Sequence, residues 1–147
     1  PMDRNKMMCL KPSQWLNDEV INFYMCMLKE RDDALCAKDP KRVASYFFNS
    51  FFLDRLLVTD NGYKYANINR WSKKIDVFKL DKIFFPVNLN NTHWTMMVVY
   101  MQLKEIHYYD SFSGSGKRHL EALKRYVHMH IYIMYLHNLS MYILMMA

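Results

Sequence analysis

Three apolar segments follow one another in the middle of the chain, and their punctuation leaves few architectures open. Residues 83–89 are apolar and end at Asn90-Asn91; residues 94–101 are β-branched and aromatic; residues 106–109 follow the polar link Gln102-Leu103-Lys104-Glu105. Runs of this length separated by polar turns predict short strands, the last two closing a hairpin. With the hairpin turning around Gln102-Leu103, Asp110 falls opposite Thr95. His93, two residues along on the same face, is then a diagonal cross-strand neighbour at roughly 7–8 Å or less between Cβ atoms. A slip of one residue would send the pair to opposite faces.

An imidazole held by a carboxylate is the orienting half of a Cys-His-Asp or Ser-His-Asp device. The acid fixes the ring tautomer, and the other ring nitrogen takes the nucleophile's proton. The plain alternative is an ordinary loop histidine and a turn aspartate ahead of Ser111-Phe112-Ser113-Gly114; an isolated motif of this kind carries a high false-positive risk.

Upstream, Val20, Ile21, Phe23, Tyr24, Met27 and Leu28 recur at three- and four-residue steps, which predicts an amphipathic helix. Asn17 fits its N-cap, with Asp18 and Glu19 favourable in the first turn. Glu30-Arg31-Asp32-Asp33 is expected to close it, leaving a charged loop up to Lys41-Arg42. Residues 47–57 predict an extended stretch and then a helix. Asn61-Gly62 is a turn signal, residues 67–74 a possible helix carrying Arg70-Trp71, and residues 117–127 another amphipathic helix with Leu120, Leu123, Tyr126 and Val127 on one side.

At 147 residues the chain is long enough for one domain with a core. Cys9, Cys26 and Cys36 imply no disulfide framework and suit a reducing intracellular compartment. Cys26, among apolar helical residues, is expected to be a structural thiol, and Cys36 a solvated loop thiol. The start of the chain lacks the apolar core of a secretory signal. The net charge of +6 is scattered in doublets such as Lys73-Lys74, Lys117-Arg118 and Lys124-Arg125. Nucleic-acid binding shows a denser stripe and a motif, so none is expected. Three glycines leave no phosphate-cradling loop, and isolated His107 and His119 give no metal spacing, so neither metal nor cofactor is expected.

The order of motifs carries a resemblance. Trp15-Leu16-Asn17-Asp18-Glu19-Val20 is followed by Phe48-Asn49-Ser50-Phe51-Phe52, Gly62-Tyr63, Arg70-Trp71 and Asp76-Val77-Phe78. Asp81-Lys82-Ile83-Phe84-Phe85-Pro86-Val87-Asn88-Leu89, His93-Trp94 and Tyr108-Tyr109-Asp110-Ser111 complete it. From Trp15 to Val127 the series resembles the catalytic domain of the ubiquitin-like-protein-specific (SUMO, or sentrin) proteases. The resemblance implies an α+β fold, a papain-like thiol-protease core of an N-terminal helix and an antiparallel sheet, with its C-terminal half missing.

It also implies a thiol isopeptidase with His93 as general base and Asp110 as its orienting acid. Trp15 and Trp94 match the aromatic pair enclosing the modifier's Gly-Gly end, where flat faces leave no room for a Cβ, although both indoles could simply be core. Asp18 matches an acidic contact to the modifier. The family's Gln and Cys follow the Asp in a Gln-x-x-Asn-Gly-x-Asp-Cys-Gly stretch, but here the residues after Asp110 contain neither. The implied partner is a SUMO-like modifier or its conjugates, for a monomer located in the nucleus or at its envelope. The other readings are a non-catalytic modifier-binding module, or a piece without function of its own.

Residues 128–147 contain no Asp, Glu, Lys, Arg, Gly, Pro or Cys. Their length approaches the roughly 20 residues of a membrane span, but three His, an Asn and a Ser argue against one, and no basic flank follows. Ile, Tyr, Met, His, Asn and Leu are residues of AT-rich codons, so residues 128–147 are expected to be translated non-coding sequence; the resemblance implies a partial protease domain over 15–127, with 1–14 as a leader.

Overall fold

The computed structural model describes residues 2–58, 62–72 and 75–145, and for residues 58, 62, 69, 72 and 133–145 the course of the backbone only. A 3-10 turn at Lys6–Leu10 precedes helix α1 (Asp18–Lys38). Strand β1 (Tyr46–Phe47), helix α2 (Phe51–Leu56) and the β2–β3 pair (Leu57–Val58, Gly62–Tyr63) follow. After helix α3 (Asn69–Ser72) come β4 (Lys82–Leu89), β5 (His93–Tyr100) and β6 (Glu105–Tyr109), then helix α4 (Lys117–Met145).

The main sheet has the order β1-β4-β5-β6. The expected antiparallel strands β4, β5 and β6 are joined by β1, which pairs parallel to β4 through Tyr46↔Ile83 and Phe47↔Phe84. A parallel pair needs a crossover, and the chain supplies it through α2, β2–β3 and α3. Pro86, with no amide to donate, falls beyond the last residue paired with β1.

One face of the sheet is closed. Ile83, Phe85 and Val87 of β4 and Met97 and Val99 of β5 alternate inward, the period-two pattern of a strand with one face on a core. They meet Phe48, Phe52, Leu53 and Leu56 from around α2, and Ala122, Leu123 and Tyr126 from α4. Phe52 lies 5.0 Å from Phe85 and 4.9 Å from Tyr126 between ring centroids, a tilted and an edge-on contact.

Helix α1 lies on the other face and departs from expectation. Asn17 caps it, its side chain accepting from the Val20 amide at 2.9 Å. The helix passes the expected stop at Asp32-Asp33 and runs to Lys38, because Asp32 is buried and engaged rather than solvated. Its carboxylate accepts from the Arg42 guanidinium at 2.8 Å and from the Ser45 amide at 2.7 Å. Burial pushes Asp32 up, but the Ser45 amide and then Arg42 outweigh it and hold the carboxyl below its usual range. Of the apolar positions that predicted the helix, Phe23, Tyr24 and Met27 are exposed; the buried apolar residue is Met25. The apolar period predicts the helix, but its stripe does not mark a closed core.

Residues 69–72 realise the helix expected around Arg70-Trp71, while Lys73 and Lys74 lie outside the described residues, as does Asn61 of the Asn61-Gly62 turn signal. Helix α4 passes Val127 without a break, and His130 is buried against Tyr126, 5.6 Å between ring centroids, so the compositional boundary is not a packing boundary. Among the described residues, no helix is long and apolar enough to cross a membrane.

Candidate active site

His93 owes its place to the turn before it. Leu89 pairs with His93, leaving Asn90, Asn91 and Thr92 as the loop. Asn90 and Asn91 both take left-handed conformations, φ 54° and 57°, which asparagine adopts more readily than most residues. The Thr92 amide donates to the Leu89 carbonyl at 3.1 Å, and β5 then opens on His93.

Across the sheet, Met96 pairs with Tyr109 and Tyr100 with Glu105. Continued one step, this register sets Asp110 opposite Thr95, as the sequence predicted. His93 Nε2 lies 2.5 Å from Asp110 Oδ1, with the two side chains only 15% and 4% exposed. Three further donors converge on the same carboxylate: the Phe112 amide at 2.8 Å, the Gly114 amide at 3.1 Å and the Tyr108 hydroxyl at 3.2 Å. The His93 hydrogen bond first, and the Phe112 amide next, hold the Asp110 carboxyl below the usual carboxylate range. An ionised carboxylate only accepts, so Nε2 carries the proton and Nδ1 is the ring nitrogen left to receive one.

The loop after Asp110 is fitted to the acid. A Cβ on Gly114 would run into Asp110 Oδ2, and one on Gly116, whose φ is 54°, into the Tyr108 ring. The Phe112 ring stacks on the His93 imidazole, centroids 4.3 Å apart and planes within 20°. Neither residue type nor spacing singles out Phe112, Tyr108 or Gly114 for a role. The available signal was Asp110 followed by small residues, since an Asp side chain bonding the amide two residues on is a common turn device.

Trp94 points to the opposite face of β5 from His93. Its indole Nε1 donates to the Leu16 carbonyl at 2.8 Å, tying the segment before α1 to the end of the sheet. Trp15, next to that carbonyl, is 66% exposed and so is not a core residue. Leu16, Tyr24, Pro86, Trp94, Tyr109 and Asp110 are among the residues lining a groove of about 750 Å³ between α1 and the sheet. Asp18 stands apart, in the first turn of α1, facing a second depression shared with Lys6, Phe23, Cys26 and Phe51. The structure therefore brings His93 to Asp110 and sets Trp94, Leu16 and Asp110 around one groove, with His93 and Trp15 outside its lining and Asp18 at a separate depression.

The thiols also differ from expectation. Cys26 is exposed rather than structural, because it sits on the uncovered side of α1. Cys36 is a half-buried residue near the end of α1 rather than a loop thiol, because the helix runs on to Lys38. No cysteine lines the groove at Asp110. Among the described residues no His, Cys, Asp or Glu cluster is placed to hold a metal ion.

Residues 14–139 match the model of the Ulp1 protease family, C-terminal catalytic domain. The chain is 43% identical over 123 residues to ubiquitin-like-specific protease 1A of Arabidopsis thaliana, covering 80% of this chain and 24% of that protein. Its structure resembles SUMO protease Ulp1 with the catalytic cysteine oxidised to a sulfenic acid: TM-score 0.69 and 32% identity, over 86% of this chain and 54% of that one. The C-terminal Ulp1 protease domain solved in complex with Smt3, the yeast orthologue of SUMO, is similar at TM-score 0.68 and 32% identity, covering 84% and 52%. The chain thus spans about a quarter of the first of these relatives and about half of the solved domains.

Proposed function

The chain belongs to the Ulp1 protease family, and we propose that it carries the base, the orienting acid and the tail slot of a cysteine peptidase acting on a SUMO-type modifier. The observation that carries this reading is the 2.5 Å contact between His93 and a carboxylate gathered by three more donors. In the reaction, His93 Nδ1 takes the proton of a thiol, and the thiolate attacks the carbonyl of the modifier's C-terminal glycine. Asp110 holds the ring and favours the imidazolium that forms, which then protonates the departing amine. Trp15 and Trp94 flank the glycine tail, and Asp18, set apart from them, meets the modifier's folded surface.

No cysteine in the sequence follows Asp110, and the three that precede it are absent from the groove lining. The 147-residue chain is therefore expected to bind without cleaving. An electrophile-tipped modifier incubated with the chain should give no adduct by mass spectrometry; rapid capture at Cys9, Cys26 or Cys36 would overturn that assignment. The exposed Trp15 and the groove keep a second reading in play, a modifier-binding module without chemistry. A Cys and Gln downstream in the coding sequence would decide for the peptidase. A nuclear or nuclear-envelope location goes with either, and imaging the tagged protein tests it.

A further inference from the structure

We infer that Phe112 is a positioning residue for His93, locking the plane of the imidazole so that Nδ1 keeps a single direction. The inference rests on the reading of His93 as a base. A hydrogen bond at Nε2 does not by itself fix the ring. The final torsion of histidine is soft and broad, and its axis passes close to Nε2 and farther from Nδ1. A swing large enough to loosen the bond to Asp110 therefore carries Nδ1 farther still from its line. A flat ring stacked on the imidazole face opposes that swing directly, and Phe112 is such a ring, at 4.3 Å and 20°.

Its surroundings give Phe112 little other purpose. It is 73% exposed in a loop of serines and glycines, so it adds little to the core. The loop holds it in place from both sides: the Phe112 amide donates to Asp110 Oδ1 and the Gly114 amide to Asp110 Oδ2. The carboxylate that grips His93 Nε2 thus also seats the ring covering His93.

The test needs no substrate. In the 147-residue chain, the His93 Nε2 proton in its short charged hydrogen bond is followed by NMR, and its exchange with water reports how often the ring swings free. Phe112→Ala and Phe112→Leu should raise that rate roughly 2- to 10-fold, the range an aromatic pair is worth. Phe112→Trp should restore it to within about twofold, while melting temperatures stay within about 2 °C because the side chain is exposed. An unchanged rate in Phe112→Ala, or protection by Leu equal to that by Trp, would overturn the inference. Neither outcome depends on modifier binding, whose loss would count against the proposed function alone.

Discussion

The two faces of the main sheet have been treated differently by the same strands. Toward α2 and α4, residues 83, 85, 87, 97 and 99 are sealed beneath aromatic rings from both helices. Toward α1, Trp94, Met96 and Tyr109 share an open groove with Leu16, Ile21 and Tyr24, and α1 carries Phe23 and Met27 uncovered. The closed face supplies stability, and the open face carries apolar surface that the described residues do not cover. Asp110 lines the groove, and His93 is held against it from the opposite face of β5 to Trp94.

Substitutions can break that comparison. Phe52→Ala should have the largest effect, about 3–5 kcal/mol of stability by urea denaturation, because the ring is buried among Phe48, Phe85 and Tyr126. Asp32→Ala should cost less, roughly 1–3 kcal/mol, by leaving the Ser45 amide without its acceptor while Arg42 turns to solvent. A smaller and pH-dependent effect belongs to His130, whose burial lowers its pKa despite a contact with the Ile75 carbonyl. A lowered histidine resists protonation in the fold, so its stabilisation is complete above an ordinary value of about 6.5 and falls as pH drops through that point. Stability measured by chemical denaturation should fall less steeply from pH 7.5 to pH 5 in His130→Gln than in the parent. At the bottom of the scale, Phe23→Ala should change stability by no more than about 0.5 kcal/mol; a loss near that of Phe52→Ala would mean that the α1 face is a second core.

The strand pattern was legible because period-two alternation is local, and a hairpin turning around Gln102-Leu103 sets Asp110 opposite Thr95, a register that the sequence alone leaves open to a one-residue slip. The length of α1 was not legible: Asp32 looks like a helix-ending charge until its partners, Arg42 and Ser45, are known, and both lie beyond the helix. Composition changes at Val127, yet α4 packs on through His130, since a helix buries whatever side chain its turn presents to the core. Within the site, His93 and Asp110 are visible as residue types at a hairpin spacing. Phe112 and Gly114 are not, since their roles follow from a loop folding back onto the acid. Nor does any sequence pattern disclose that the Trp94 indole ties down the Leu16 carbonyl.

The central claim is that the open face, with Trp15 and Trp94 at its end, receives the glycine tail of a SUMO-type modifier. Titrating the 147-residue chain with such a modifier and following tryptophan fluorescence tests it directly. A saturable change that disappears when the terminal Gly-Gly is removed, and weakens at least tenfold in Trp94→Ala, is the predicted result. Equal binding by the intact and tail-deleted modifier, or none by either, would contradict it.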